Sequence, residues 1–360
     1  MKGTRIAVAG VHGHGATHVR DAGQYGDLVA VADPRPPDGV DVPVYPSLGE
    51  LLAATEVDVV VISTPIQTHV PLAEMAMRAG ADVLLEKPPT ASMAEFDHLS
   101  RVIEETGRAC QVGFQAQASA ATLQLAQLLA GGVLGEIRGI SATGKWLRKA
   151  GYFDRAPWAG RRTLNGVAVV DGAVTNPLAH STAAALLLDG STGVDDIRSV
   201  ETDLFRANDI ESDDTSTVRI TTARGTSILI AVTLCAAEHA DPAVIVHGSE
   251  GRAVLNYTTD TLELPDGRQT LGRGNLLQNL IAHRADAAVP LYCSFAATGG
   301  FTRVVEAIRL ADEPAVIPEA CVRWQGEGAE RHPIVRDVEK WIDRASDELA
   351  LFRELGAPWV

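Results

Sequence analysis

Ile6-Ala7-Val8-Ala9-Gly10-Val11-His12-Gly13-His14-Gly15 is the stretch that decides the fold. Arg5 to Ala9 reads as a strand, and it runs directly into a glycine-rich turn. An amphipathic segment follows, with helix expected through about Tyr25. At such a strand–turn–helix junction the N–H groups and positive dipole end of the helix favour an anion, above all a pyrophosphate. Gly10 and Gly15 fit the first and third places of G-x-G-x-x-G. His12 holds the second, where a glycine normally lets backbone and phosphate approach closely. Gly13, one place later, is the residue that restores room.

Leu28 to Ala32 reads as the second strand, and Asp33 ends it. An acid about 20 residues beyond the turn binds the ribose hydroxyls of a dinucleotide. It also repels a 2′-phosphate, so Asp33 favours NAD. Arg35 is within reach of such a phosphate, which keeps NADP open. His12, His14 and His18 invite a metal reading. No cysteine or carboxylate stands beside them in the sequence, so no metal is expected.

The pattern continues as alternating strands and helices. Helix is expected over Leu48–Ala54, a fully covered strand over Val57–Ile62, and helix near Pro71–Ala79. A strand over Val83–Leu85 comes next. Ser92 and Glu95 form a capping-box pattern before a helix that stops at Gly107, and Cys110–Phe114 is the next strand. This order implies right-handed crossovers and a doubly wound parallel sheet. Residues 1–118 are therefore expected to be a dinucleotide-binding Rossmann domain.

Residues 119–360 have a different texture. A helix is expected over Ala121–Ala130. Strands are expected over Ile137–Ala142, Thr215–Thr221, Ser227–Leu234, Ala243–Val246 and Ala253–Tyr257, with late helices over Thr302–Leu310 and Val335–Leu355. This implies an α+β domain with a large open, mostly antiparallel sheet. The chain is α/β overall.

The 360 residues exceed one compact core, and the formal net charge is −15. An acidic chain without a basic cluster argues against nucleic acid and anionic membrane as partners. Cys110, Cys235, Cys293 and Cys321 are far apart, as reduced cysteines are, and no apolar run suits a signal peptide or membrane span. A cytoplasmic protein is the expectation.

Two further motifs carry a resemblance. Val61-Ile62-Ser63-Thr64-Pro65-Ile66-Gln67-Thr68-His69 and Asp82-Val83-Leu84-Leu85-Glu86-Lys87-Pro88 resemble the strand-end and E-K-P motifs of the glucose–fructose oxidoreductase/inositol dehydrogenase (Gfo/Idh/MocA) family. Gly135-Glu136-Ile137, the Gly251 turn and the tail Leu355-Gly356-Ala357-Pro358-Trp359 are similar as well. The resemblance implies cofactor contacts from the Gly10–Gly15 loop, His12 and His14 included, and from Thr64, Pro65, His69, Glu86, Lys87 and Gln115. It implies that Lys87 is catalytic.

The family's D-x-x-x-H is matched by Asn176-Pro177-Leu178-Ala179-His180. The resemblance implies that His180 is the general acid/base and that Asn176 takes the orienting place of the aspartate. Asn before Pro also reads as an N-cap with Pro at N1, which sets His180 in a first helical turn. Asp171, five residues upstream, is a candidate source of the missing charge.

Lys145, Trp146, Tyr152, Trp158 and Arg161 are softer candidates for a sugar pocket, and Glu211 to Asp214 reads as a solvated turn. The expected activity is hydride transfer between nicotinamide and a secondary alcohol of a sugar or cyclitol. The alternatives are a glycosidase of the same fold that retains NAD, and a sensor of sugar or cofactor without catalysis. Family resemblance implies a homodimer or homotetramer.

Overall fold

The computed structural model describes residues 3–35 and 39–360. It divides into two compact units. One holds the residues up to Ala118 together with Gly274–Thr298; the other holds Ser119–Arg273 and Gly299–Val360. The sequence reading places all of 274–298 in the second domain, and the structure moves it. Gln111 is fully buried, and its side-chain amide donates to Leu276 O while its carbonyl accepts Cys293 N. The returning segment thus satisfies polar groups at the edge of the first sheet.

The first unit is built on a six-stranded sheet, order β3-β2-β1-β4-β5-β6, with every pairing parallel. Its strands are β1 (Arg5–Ala9), β2 (Asp27–Ala32), β3 (Val44–Tyr45), β4 (Val59–Ile62), β5 (Asp82–Leu85) and β6 (Cys110–Val112). The crossover helices are α1 (Gly15–Tyr25), α2 (Leu48–Ala54), α3 (His69–Arg78) and α4 (Met93–Thr106). All four residues of β4 are 0% exposed. That is what the uninterrupted run of valines and isoleucine demands of a strand covered on both faces.

The strand order reverses between β1 and β4. In open α/β sheets the ligand binds at the carboxyl ends of the strands beside such a switch point. Helix α4 begins as its sequence requires, with Ser92 Oγ accepting Glu95 N. The Glu95 carboxylate reaches past the cap to Ala91 N. Gly107 stops the helix at φ +62°.

The second unit carries a short hairpin of β8 (Thr163–Leu164) and β9 (Val167–Ala168) and a nine-stranded sheet that includes β13 (Ala243–Gly248), β14 (Gly251–Asn256), β15 (Thr261–Leu264), β16 (Gly267–Thr270) and β17 (Ala315–Val316), in the order β16-β15-β14-β13-β7-β12-β11-β10-β17. Only β7–β12 and β10–β17 pair parallel. Its long central strand is β7 (Ile137–Lys145); β10 (Ile197–Arg206), β11 (Thr215–Thr222) and β12 (Ser227–Thr233) follow. Helices α5 (Ala120–Ala130), α6 (Ala150–Phe153), α7 (Ala179–Asp189) and α9 (Gly299–Leu310) belong to this unit, and α8 (Leu276–Ala285) to the first. The stem of α7 packs on the sheet: a Cβ at Gly144 would lie 2.5 Å from Leu178 Cδ1.

Alternate residues of β7 face the other way. Ser141 Oγ meets Ser346 Oγ at 2.7 Å and Gly139 lies under Leu349. That face is covered by α10 (Val338–Glu348) and α11 (Phe352–Leu355), whose apolar side chains join Leu229, Ala231, Cys235 and Trp359 in one core cluster. The single late helix read over Val335–Leu355 is two helices, because Leu349 adopts φ +51° between them.

Candidate functional site

The phosphate loop is built by exclusion. A Cβ at Gly10 would lie 2.3 Å from Ser63 O, and one at Gly15 would lie 2.0 Å from Gly10 O. Both places admit only glycine, so the loop seats against the end of β4 and α1 starts hard against the loop. Gly13 has φ +57° and nothing within 4 Å of a Cβ. It is the open position that the second fingerprint glycine would supply. His12 turns aside, its Nε2 2.7 Å from Arg35 O and 3.7 Å from Asp33 Oδ1.

Asp33 is 7% exposed and anchored at both oxygens. Oδ2 accepts Val11 N at 3.1 Å and Oδ1 accepts Arg35 N at 2.9 Å. The acid therefore holds the loop after β1 to the end of β2. The Arg35 side chain is exposed.

Glu86 closes the same edge from β5. His18 Nε2 is 2.8 Å from Glu86 Oε1, and His14 Nε2 is 3.4 Å from the same oxygen. Gly113 makes the room, since a Cβ there would lie 2.9 Å from the carboxylate. Burial pushes the Glu86 pKa up. The His18 hydrogen bond, and the electrostatic pull of His18, His14 and Lys87, outweigh it and hold the acid at about 2. Gln115 Nε2 approaches His14 Nε2 at 2.8 Å.

This corrects the sequence reading of the histidines. A carboxylate does stand beside them, supplied by β5. Among the described residues, the group whose three ligand atoms lie within 4.8 Å of one another is His14, His18 and Glu86, and His12 is outside it.

Lys87 follows directly, its N–H donating to Glu86 Oε2 at 3.2 Å, and the Lys87–Pro88 peptide is cis. His69 lies behind this edge. It is 1% exposed, with Nδ1 2.9 Å from Pro88 O and Nε2 2.9 Å from Thr64 O. Each ring nitrogen faces a backbone carbonyl and the protonated one donates to it, so His69 braces the ends of β4 and β5 against each other. Burial lowers its pKa, against the pull of the two carbonyls. Thr64 is tied in through Thr68 Oγ1 at 2.7 Å, and Pro65 is exposed.

In the second unit, Asn176 is not the N-cap of α7. Leu178 takes that place, because the Asn176 side chain is drawn to Asp171, Nδ2 to Oδ1 at 2.6 Å. His180 lies in the first turn of α7 and is partly buried, with its ring 6.0 Å from that of Tyr257.

The soft aromatic candidates form a stack. Arg148 lies 4.5 Å over Trp146 and 4.9 Å over Tyr152; Arg155 lies 3.7 Å over Tyr152 and 4.6 Å over Trp158. Arg161 pairs with Glu211 at 2.8 Å, and Lys145 pairs with Asp343. The three aromatic rings are thus bridged by arginines, and Lys145 and Arg161 are paired with acids.

The acidic run is not a solvated turn. Asp213 and Asp214 are 2% and 0% exposed. Asp214 accepts Ala207 N, Asn208 N and Asn208 Nδ2, and Asp213 accepts Ser216 Oγ at 2.7 Å. Donors on the segment that follows β10 and on β11 make a buried home for both.

Residues 4–114 match the model of an oxidoreductase family with an NAD-binding Rossmann fold, and residues 122–254 match the C-terminal domain of the same family. The chain belongs to the Gfo/Idh/MocA oxidoreductases. Among curated members, the rhizopine catabolism protein MocA of Rhizobium meliloti is 31% identical over 176 residues, 46% of this chain and 53% of that protein. Inositol 2-dehydrogenase of Rhizobium meliloti (strain 1021) is 25% identical over 291 residues, 73% of this chain and 79% of that protein. The first curated relatives are matched over about half of their length or less. The WlbA dehydrogenase of Bordetella pertussis, solved with NADH and UDP-GlcNAcA, shares the fold at TM-score 0.72 and 20% identity, over 86% of this chain and 95% of that one. No described helix is long and apolar enough to cross a membrane.

Set against this Gfo/Idh/MocA frame, sequence reasoning missed Gly113 and Arg155, and it considered His18 only as a metal ligand and not as the partner of Glu86. The spacing from Gly15 to His18 puts the histidine one helical turn into α1, a usable signal. Gly113 and Arg155 carried none, since only the fold brings them to Glu86 and Asp171.

Proposed function

We propose that this chain is a nicotinamide-dependent dehydrogenase acting on a secondary alcohol of a sugar or cyclitol. One observation carries the reading. The glycine loop, the anchored Asp33 and the Glu86-Lys87 step all lie along the carboxyl edge of one parallel sheet, beside its switch point. The cofactor fits there on the structure's own terms. Gly10 and Gly15 have no room for side chains, α1 has no acid in its first turn, and a buried carboxylate stands ready for ribose hydroxyls.

Gly10, Gly13 and Gly15 hold the pyrophosphate, Asp33 the adenosine ribose, and Thr64, Glu86 and Gln115 the remainder. Bound there, nicotinamide supplies the acceptor or donor of hydride. Lys87 holds the substrate hydroxyl and stabilises the negative charge that grows on its oxygen. His180 takes the hydroxyl proton as the carbon-bound hydrogen leaves with its electron pair. Asn176 fixes the geometry around His180. The names of the relatives, with inositol, rhizopine and a UDP-linked sugar acid among them, support a polyhydroxylated ring as substrate.

Titration with NAD+ and NADP+, followed by a screen of inositols and nucleotide sugars for reduced nicotinamide, tests the proposal. Binding of NAD+ with reduction by one sugar class is expected. Binding with glycoside cleavage and no net reduction selects the NAD-retaining glycosidase, binding with neither selects a sensor, and absence of binding overturns the reading.

A further inference from the structure

Position 176 poses a chemical problem. A carboxylate there is an acceptor only, whereas an amide has a donor edge and an acceptor edge and can present either. The structure removes that freedom. Asn176 and Asp171 are 8% and 4% exposed, and Asn176 Nδ2 donates to Asp171 Oδ1 at 2.6 Å. The partner is a carboxylate, so the N–H side of the amide must face it and Oδ1 must face the other way.

Asp171 is itself held fast. Its Oδ2 accepts Gly160 N at 2.7 Å, with the Arg155 guanidinium at 3.4 Å. The turn between the two residues is braced too: Thr175 Oγ1 accepts Gly172 N at 3.0 Å and donates to Val170 O, and Asn176 N donates to Gly172 O at 3.1 Å. His180 lies four residues on, in the first turn of α7, with Asn176 in the turn that leads into that helix.

We infer that Asp171 is a positioning residue: it locks the Asn176 amide so that position 176 presents a hydrogen-bond acceptor to the catalytic histidine's surroundings. The negative charge of the family's aspartate is kept, set one link further back. The inference rests on the proposed dehydrogenase reading for its functional meaning. It also accounts for the amide. A second carboxylate at 176, in contact with Asp171, would force the pair to share a proton.

The test uses Asp171→Asn, Asn176→Asp and the double variant, which reverses the pair. The full-length protein is assayed for NAD+ reduction with myo-inositol, scyllo-inositol and UDP-N-acetylglucosamine as probes. Asp171→Asn is expected to lower kcat by roughly 10- to 100-fold with KM changed little, as loss of an orienting partner does. Asn176→Asp is expected to be impaired as well, and the double variant to recover most of the loss. If Asp171 serves only to anchor Gly160 and Arg155, the double variant stays as poor as Asp171→Asn, and the inference falls.

A second measurement needs no turnover. With asparagine-selective 15N labelling, and Asn176→Asp for assignment, one Nδ2 proton of Asn176 is expected far downfield and slow to exchange. It should lose both properties in Asp171→Asn. A solvated amide signal in the wild type overturns the lock. If no probe is oxidised, the dehydrogenase reading fails separately, and the amide spectrum still decides this one.

Discussion

His18 Nε2 lies 2.8 Å from Glu86 Oε1, and this contact joins the helix after the phosphate loop to the end of β5. The two residues are 68 positions apart, and both are buried. An uncompensated buried carboxylate would be protonated at neutral pH. Here the histidines and Lys87 keep it charged, so the carboxyl edge of the sheet is organised by its own side chains.

Glu86 should therefore be a stabilising acid. Its folded pKa, about 2, lies below the ordinary 4.5. A depressed carboxylate contributes stability that is present above about pH 4.5 and lost as pH falls towards 2. Glu86→Gln is expected to cost on the order of 3 kcal/mol at neutral pH, with the gap to wild type closing below about pH 4.5. Denaturant unfolding across that range measures it; a gap that ignores pH would mean the charge is not what holds His18.

Lys87→Ala should separate binding from chemistry. The backbone N–H at 87 serves Glu86, and alanine keeps it. NAD+ affinity is expected to stay within about threefold, while turnover falls by roughly two orders of magnitude or more, the size of one lost oxyanion or proton-handling group. Calorimetry for NAD+ beside steady-state rates on any oxidised probe shows which; equal turnover removes Lys87 from the mechanism.

Asp33 should set the cofactor. Replacing it with serine removes the negative charge that disfavours a 2′-phosphate, with Arg35 two residues away. It also takes the acceptor from Val11 N and Arg35 N. NAD+ binding is expected to weaken about tenfold and the preference for NAD+ over NADP+ to shrink by more than that. Paired titrations decide, and an unchanged ratio would place the selectivity elsewhere.

How legible all this was depends on how local each signal is. The first sheet was readable because its strands are continuous apolar runs bounded by glycines and caps. Val59–Ile62, Ser92 and Gly107 behave as their types require. β10 escaped notice because Arg198, Ser199, Glu201 and Thr202 mask its pairing with β11. Strand β3 has two residues and no pattern to find. The break at Leu349 lacks the glycine that usually announces it. Motifs located Lys87, Glu86, Asn176 and His180 along the chain. The charge logic depends on residues from other strands and turns. His18 finds Glu86, Gly113 leaves it space, and Asp213 disappears into the core, all through tertiary packing that no local pattern encodes.

Asp213 gives the opposite pH signature to Glu86. Burial raises its pKa to about 6 from 3.8, against the Ser216 hydrogen bond, with Asp214 adding to the rise. Gly172 leaves the space, since a Cβ there would lie 1.9 Å from Asp213 Oδ1. A raised carboxylate binds its proton more tightly in the folded state. Its ionisation therefore costs stability as pH climbs from about 4 to about 6, and the cost is constant above that. Asp213→Asn removes the ionisation and keeps an oxygen for Ser216. Relative to wild type, the variant is expected to gain on the order of 2–3 kcal/mol between pH 4 and pH 8. Denaturant midpoints at the two pH values measure the change. A difference between variant and wild type that is the same at both would show that Asp213 is already ionised without penalty, held by donors on the neighbouring turn at Val174 and on Ser216.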